Sequence, residues 1–155
     1  MSHNITVEGG TSVRLPTAGK YCDRDIVVTA TGGGSVSEPT TISGIDLHNA
    51  ETDIPDTYLS GSNVHAFAGW KTTDFIPVEA GKFYLVYSKS EINSQYCSRF
   101  NADKKGAGSL SFATCRNKNI PTIVNGHDGY FRFSGTNEQI NDLEVYEVIN
   151  FNWKV

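Results

Sequence analysis

The sequence predicts an all-β protein, a β-sandwich of the jelly-roll type, and three observations lead to this prediction. Short runs rich in aromatic and β-branched residues recur along the chain, as in KFYLVY at residues 82–87. Glycine and asparagine stand between these runs, where turns are needed. Only 19% of the residues are charged, a composition that favours strands and turns over solvated helices.

The candidate strands fall into an N-terminal group and a larger C-terminal group. The first group comprises residues 5–7, 12–15 and 26–31. The second comprises residues 74–78, 82–87, 95–100, 109–115, 120–124, 130–134 and 143–149. Residues 46–58 offer at most one helical turn, which Pro55 would end. Regular spacing of short strands is typical of sandwiches.

A glycine-rich stretch, GGGSVSEPT at residues 32–40, is predicted to be a flexible linker. The sequence therefore predicts a small N-terminal β-hairpin element at residues 1–31, the linker at 32–40 and the sandwich domain at 41–155. A piece as short as residues 1–31 buries little surface alone. We expect it to pack on a partner protein or on a second copy of itself. The alternative is that it forms a hairpin docked on the domain of its own chain.

Charge and hydropathy exclude several classes of function. The formal net charge of −4 gives the chain no electrostatic reason to bind nucleic acid or an anionic membrane. No apolar run approaches the roughly 20 residues that span a bilayer. The first residues, MSHNITVEGG, lack the basic and apolar regions of a secretory signal. We expect the chain to bind no nucleic acid, to insert into no membrane and to carry no signal peptide.

The sequence predicts no catalytic residue, no metal site and no cofactor. Histidines occur singly, without metal-ligand spacing, at His3, His48, His65 and His127. An oxygen-rich cluster lacks the calcium-loop signature and is predicted to be an acidic solvated loop; it contains Asp46, Glu51, Asp53 and Asp56. A glycan hydrolase would need two carboxylates across a cleft, and no such pair stands out.

The three cysteines, Cys22, Cys97 and Cys115, are odd in number and widely spaced, which makes a poor disulfide framework. We expect all three to be reduced, since cysteine is commonly buried as a small apolar residue. Cys97 and Cys115 fall in predicted strands and could pair across a sheet, an alternative that stays open.

Aromatic residues give the strongest functional signal. Trp70 lies in FAGWKTTDF, just before a predicted strand, and several tyrosines accompany it. A sugar ring stacks its apolar face on an aromatic ring, while its hydroxyls need fixed polar partners. The candidate glycan-binding residues are Tyr58, Trp70, Tyr96 and Arg99. The competing interpretation is that Trp70 belongs to the core. Arg132, between aromatic neighbours, is predicted to be structural.

Two stretches resemble known proteins. Residues 11–30, TSVRLPTAGKYCDRDIVVTA, resemble a short module of phage and prophage virion proteins. The motifs WKTTDFIPVEAGKFY, YCSRFNADKK, GYFRFSG and LEVY, between Trp70 and Tyr146, are similar to jelly-roll domains of phage tail, baseplate and receptor-binding proteins. Those domains in turn resemble carbohydrate-binding modules.

The resemblance implies a virion structural protein, a tail, fibre or decoration component assembled in the host cytoplasm. It implies that residues 1–31 attach to other virion proteins and that the β-domain faces outward to bind host-surface glycan. It also implies a homo-oligomer, with a trimer favoured. The alternative is a purely architectural capsid or tail decoration subunit without ligand. A glycan hydrolase is the least favoured interpretation, and we expect the protein not to be an enzyme.

Overall fold

The computed structural model describes residues 2–8, 18–21, 24–29, 40–43, 45–90, 94–110 and 122–150. It shows the all-β sandwich that the sequence predicts. In chain order the strands are β1 Ser2–Glu8, β2 Ala18–Tyr21, β3 Arg24–Thr29, β4 Thr40–Ser43, β5 Ile54–Ser60, β6 Asn63–Thr72, β7 Ile76–Val78, β8 Phe83–Ser88, β9 Ser98–Asn101, β10 Gly106–Ser109, β11 Thr122–Asn125, β12 Gly129–Arg132, β13 Ser134–Thr136 and β14 Leu143–Asn150. One short helix, α1, spans Asn137–Asn141.

The first layer is a seven-stranded sheet in the order β11-β8-β14-β4-β1-β3-β2. Its pairs are antiparallel except that β1 runs parallel to both β3 and β4. The N-terminal strands thus continue the sheet of the C-terminal strands, with Ile5 opposite Thr40 and Val7 opposite Ile42. Most of the predicted linker lies outside the described residues, and the division of the chain into units stays a prediction.

The second layer consists of two short sheets that are continuous with each other. Their orders are β10-β9-β12-β7 and β13-β6-β5. The chain passes from β6 to β7 beside Thr73 and from β12 to β13 at Phe133. Thr73 N donates to the Phe133 carbonyl at 2.8 Å, and Phe133 N donates to Thr73 Oγ1 at 3.1 Å. These two hydrogen bonds join the segment between β6 and β7 to the segment between β12 and β13. The two short sheets therefore stay connected where the layer bends.

The core lies between the layers and is aliphatic and aromatic. Its described members are Ile76, Val78, Tyr84, Val86, Cys97, Leu110, Val124, Phe131, Phe133, Ile140, Leu143 and Val145. Phe131 lies at its centre, edge-to-face with Tyr84 at 5.6 Å and with Phe133 at 6.2 Å between ring centroids. Burying each such side chain stabilises the fold by about 1.5–3 kcal/mol.

The predicted strands at 82–87 and 143–149 are confirmed as β8 and β14, while some other predicted strands have different bounds in the structure. Residues 95–100 divide into a 3-10 turn, Ser94–Tyr96, followed by β9. Residues 130–134 are interrupted at Phe133, where the layer bends. The predicted strand at 12–15 and residues 111–115 lie outside the described residues.

Residues 46–58 hold a single 3-10 turn, Ala50–Thr52, as expected, and the range from Ile54 onward belongs to β5, a strand that the sequence analysis did not predict. Pro55 lies inside β5, which is the last strand of its sheet among the described residues. Proline is tolerated there because its missing N–H takes nothing from a central ladder. Strand β6 was not predicted, because its alanines and glycine give it a weak strand pattern.

Helix α1 was also missed by the sequence analysis. A capping box begins it: Gln139 N donates to Thr136 Oγ1 at 3.3 Å, and Thr136 N donates to Gln139 Oε1 at 2.9 Å. The signature, threonine followed by glutamine three residues later, is visible in the sequence but short. Ile140 is the helix residue that reaches the core.

Cys97 is buried in the core, and burial raises its pKa to about 12. A cysteine with so high a pKa forms little thiolate at neutral pH and is correspondingly unreactive. Cys22 and Cys115 lie outside the described residues, so the redox state of the three cysteines stays a prediction.

Two Phe→Ala substitutions test this assignment of the core. Phe133 is fully buried, whereas Phe67 is 49% exposed on β6. We expect Phe133→Ala to lower the free energy of unfolding by about 3–5 kcal/mol. Phe67→Ala should cost less than about 1 kcal/mol. Urea unfolding followed by fluorescence measures both, and equal losses would contradict the layer assignment.

Candidate functional site

The candidate site is built on the hairpin of β5 and β6. The two strands are joined by a tight turn at Gly61, whose φ of 60° is the left-handed conformation that glycine adopts readily. Tyr58 pairs with His65, and Leu59 pairs with Val64. Side chains from residue 63 to residue 69 are exposed. The hairpin therefore presents much of its length to solvent.

A bulge interrupts the hairpin midway. Between the pairs Thr57–Ala66 and Pro55–Lys71, β5 contributes one residue, Asp56, while β6 contributes residues 67–70. Asp56 and Gly69 both have positive φ, 53° and 84°. Gly69 N donates to Asp56 Oδ1 at 3.2 Å. Such a bulge re-aims the side chains that follow it.

The bulge places aromatic side chains from distant positions in one cluster. Trp70 lies 4.9 Å from Tyr96 and 5.4 Å from Phe67 between ring centroids, both nearly perpendicular. Tyr58 lies 6.2 Å from Trp70 and 6.3 Å from Tyr96. His65 stacks on Tyr58 at 5.2 Å. Edge-to-face contacts of this kind stabilise aromatic pairs beyond the area they bury.

A cleft of about 350 Å³ opens within this cluster and is lined by Tyr58, Ser60, Phe67, Trp70 and Tyr96. Tyr58, Trp70 and Tyr96 are half-buried, so part of each ring reaches solvent. The volume lies at the lower end of the usual range for small-molecule sites. The lining combines apolar ring faces with the hydroxyls of tyrosine and serine and the N–H of the indole.

Hydrogen bonds hold the hairpin to β13 and β9, two other strands of the second layer. Leu59 N donates to Ser134 Oγ at 3.0 Å, and Ser98 Oγ donates to the Gly61 carbonyl at 2.6 Å. The hairpin turn also lies so close to β10 that a Cβ on Gly106 would stand 2.7 Å from the Cβ of Ser62. The cleft therefore rests on a fixed scaffold.

Three of the four residues predicted for glycan binding meet in the cleft, and the fourth does not line it. Tyr58, Trp70 and Tyr96 lie together, whereas Arg99 lies on β9 beside Phe131. Arg99 Nη1 donates to the Asn125 carbonyl at 2.8 Å and to His127 Nδ1 at 3.1 Å. Burial lowers the pKa of Arg99. These contacts are those of a structural residue.

Sequence reasoning did not name Ser60 and Phe67, which also line the cleft. The signal that could have found them is alternation: Tyr58 and Ser60 lie on one strand of the hairpin, and His65 and Phe67 on the other. Residues two apart on a strand share a face. Because strand β6 was not predicted, this alternation was not recognised in the sequence.

A second aromatic cluster is occupied by cationic side chains. The Arg132 guanidinium lies 4.4 Å from the Phe75 ring centroid and 5.8 Å from that of Phe100, and its Nε donates to the Thr73 carbonyl at 2.9 Å. Lys104 lies over Phe75 and Tyr130. Arg132 is therefore stacked and structural, as expected.

Only part of the acidic stretch is solvated as the sequence predicts: Glu51 and Asp56 are exposed, whereas Asp46 and Asp53 are held by contacts within the protein. The Asp53 carboxylate is buried and lies 2.9 Å from His48 Nε2. His48 Nδ1 lies 2.9 Å from the Leu143 carbonyl. Asp46 Oδ1 accepts from the backbone N of His48 and of Val145, both at 3.0 Å. These contacts fasten the start of β5 to β14.

A cleft of about 220 Å³ beside this pair is a weaker candidate. Both nitrogens of His48 have partners, Asn49 Oδ1 accepts from Glu51 N, and Asp74 Oδ1 accepts from Phe75 N. Its polar side chains are thus largely engaged within the protein, which leaves the aromatic cleft as the candidate site.

Neither a metal-binding cluster nor a membrane-spanning helix is found in the part of the chain that the structure describes. No three of its histidine, cysteine, aspartate and glutamate side chains are grouped so that they could hold an ion. None of its helices is long and apolar enough to cross a bilayer.

The protonation of His48 makes stability depend on pH. Burial lowers the pKa of His48, but the hydrogen bond to Asp53 and its charge, with the Leu143 carbonyl, raise it by more, so the net shift is upward from 6.5. Because both ring nitrogens face acceptors, the protonated ring satisfies both. Its stabilisation is complete below pH 6.5 and is lost as the pH rises through the raised pKa.

We therefore expect the midpoint of urea unfolding to fall as the pH is raised above 6.5. His48→Asn should remove this component of the pH dependence as well as lowering stability throughout. His65→Asn, which changes an exposed histidine, is the matched control and should keep the dependence. A pH profile unchanged by His48→Asn would show that the pair contributes nothing to it.

No protein-family model, no curated protein and no solved structure matches this chain. The function is therefore inferred from the geometry of the aromatic cleft together with the sequence motifs.

Proposed function

We propose that this chain is a structural component of a phage or prophage particle whose β-sandwich binds host-surface glycan in the aromatic cleft. One observation carries the proposal: Tyr58, Trp70 and Tyr96, named from the sequence for their chemistry, line a single half-exposed cleft. A cluster that served only the core would be fully buried, as Phe131 and Phe133 are.

The chemistry of the cleft suits a sugar ring. The C–H face of a sugar is apolar and packs on aromatic faces, and Trp70, Tyr58 and Tyr96 offer such surfaces. Sugar hydroxyls need donors and acceptors at the rim, and Ser60 with the two tyrosine hydroxyls can supply both. Aromatic side chains also give large contact area for little loss of conformational entropy. No carboxylate is among the described residues of the lining, and the proposal is one of binding without catalysis.

The location on a particle rests on the motifs rather than on the cleft. Residues 11–30 resemble the virion module described above, and the strands from Trp70 onward carry the jelly-roll motifs. A cleft on an exposed hairpin fits a domain that faces away from the particle. In this proposal, residues 1–31 bind other virion proteins and the chain forms a homo-oligomer, with a trimer favoured.

A purely architectural subunit is the second candidate, and one observation favours it. Strands β1 to β3 extend the first layer, and β2 is its last strand among the described residues. An edge strand offers unpaired backbone groups to another chain, which is a common way for proteins to associate. The binding test below separates the two candidates.

Trp70→Ala and Tyr96→Ala should each weaken glycan binding by about tenfold to a hundredfold. This corresponds to about 1.4–2.8 kcal/mol of lost stacking and packing. Whole host cells or a glycan array, followed by titration of the best saccharide, provide the measurement.

The matched control is Tyr130→Ala, which truncates a half-buried tyrosine outside the cleft. It should leave the affinity within about twofold of the original. Absence of binding by the folded, unmodified chain to any surface saccharide would favour the architectural candidate.

Light scattering tests the oligomer. The intact chain should have a mass that is a multiple of 16.9 kDa, three times that value if the trimer is right. Deletion of residues 1–31 should reduce the number of subunits in the oligomer or the incorporation of the chain into particles. A monomeric intact chain would contradict this part of the proposal.

A further inference from the structure

We infer that the aromatic cleft selects saccharides that carry no negative charge and discriminates against uronic acids, sialic acids and phosphorylated sugars. This inference rests on the proposed function and adds a specificity to it. It follows from three features: the uncharged described lining of the cleft, a carboxylate in the bulge that places Trp70, and the electrostatics of the aromatic rings.

No cation is among the residues of the lining that the structure describes. Tyr58, Ser60, Phe67, Trp70 and Tyr96 are all uncharged. An acidic sugar is usually recognised by arginine or lysine, whose donors replace the water that its carboxylate or phosphate loses. Without such a partner in the lining, an anion that enters the cleft gives up hydration and gains no ion pair.

The basic side chains nearest in sequence are engaged elsewhere. Lys71 follows Trp70 directly, but its Nζ donates to Asn141 Oδ1 on α1 at 2.7 Å. Arg99, which the sequence analysis placed in the site, contacts the Asn125 carbonyl, His127 and the face of Phe131. Neither side chain lines the cleft.

A carboxylate is hydrogen-bonded within the bulge that precedes Trp70. Asp56 lies two residues before Tyr58, and its Oδ1 accepts from Gly69 N, immediately before Trp70. The positive φ of Asp56 is part of the bulge that places Trp70, so the carboxylate is positioned by the same backbone feature as the cleft. Its charge repels an anionic ligand that approaches the cleft.

The rings themselves disfavour anions. The face of an aromatic ring carries the negative part of its quadrupole, which attracts C–H groups and cations and repels anions. An amino sugar or another ring bearing an ammonium group is therefore compatible with the cleft, because cations are attracted to such faces. The class that the cleft accepts is thus neutral or positively charged.

The experiment compares three sets of saccharides on the intact chain: neutral, amino-bearing, and acidic with carboxylate or phosphate. Dissociation constants are measured at two salt concentrations, because salt screens charge repulsion. We expect the acidic set to bind at least about tenfold more weakly than the neutral set of matched size, with the gap narrowing at high salt.

Two substitutions change the charge while keeping the rings. Ser60→Lys adds a cation to the lining and should improve binding of acidic saccharides by about tenfold or more. Asp56→Asn removes the negative charge, and asparagine both tolerates positive φ and can still accept from Gly69 N. It should narrow the gap between neutral and acidic saccharides. Ala102→Lys and Asp103→Asn make the same charge changes in the exposed β9–β10 turn and should leave the gap unchanged.

Different outcomes would overturn the proposed function and the selectivity of the cleft. Absence of binding to all three sets by the folded chain would overturn the proposed function and this inference with it. Binding that depends on Trp70 but is equal or tighter for acidic saccharides would leave the proposed function standing and overturn the inference alone. An equal effect of the Ala102→Lys control would also overturn it, since the discrimination would then come from net charge.

Discussion

The backbone junction between Thr73 and Phe133 is the constraint on which the rest of the structure depends. Thr73 is fully buried, and all of its polar groups are used: its N–H donates to the Phe133 carbonyl, its hydroxyl oxygen accepts from Phe133 N, and its carbonyl accepts from Arg132 Nε. These bonds let the second layer change direction without orphaning a buried backbone group. On one side of the junction Phe133 enters the core; on the other, β6 leaves it and carries the hairpin outward.

The same junction explains which parts of the fold were predictable. The patterns at β8 and β14 can be recognised locally, because hydrophobic residues occupy most of the buried positions in both strands. The break at Phe133 lies inside a run that looks continuous, since the bonds that interrupt it come from Thr73, far away in sequence. The acidic stretch was misjudged in part for a similar reason: Asp46 and Asp53 are drawn inside by groups on β14 and by His48, and no local pattern reports such partners.

For the cleft, the residue types were predictable and the arrangement was not. Trp70, Tyr58 and Tyr96 were named for their chemistry, but their meeting depends on a bulge that requires positive φ at Asp56 as well as at Gly69. A non-glycine residue in that conformation is uncommon, and the sequence gives no sign of it. Arg99 was misplaced because a basic residue near aromatic ones fits a ligand site and a structural stack equally well, and the carbonyl of Asn125 decides between them.

Exposure of these rings has a free-energy cost that the fold offsets elsewhere. Phe67 keeps 49% of its surface in solvent, and the rings of Tyr58, Trp70 and Tyr96 are partly exposed, whereas the core aromatics are buried. An arrangement selected for stability alone would turn this apolar surface inward, because each buried side chain of this size stabilises the fold by about 1.5–3 kcal/mol. The hairpin is instead held open by polar contacts at Ser98, Ser134 and Asp56. Exposed apolar surface on a rigid support is the property expected of a surface that binds, since a ligand recovers the hydrophobic free energy that the fold leaves unused.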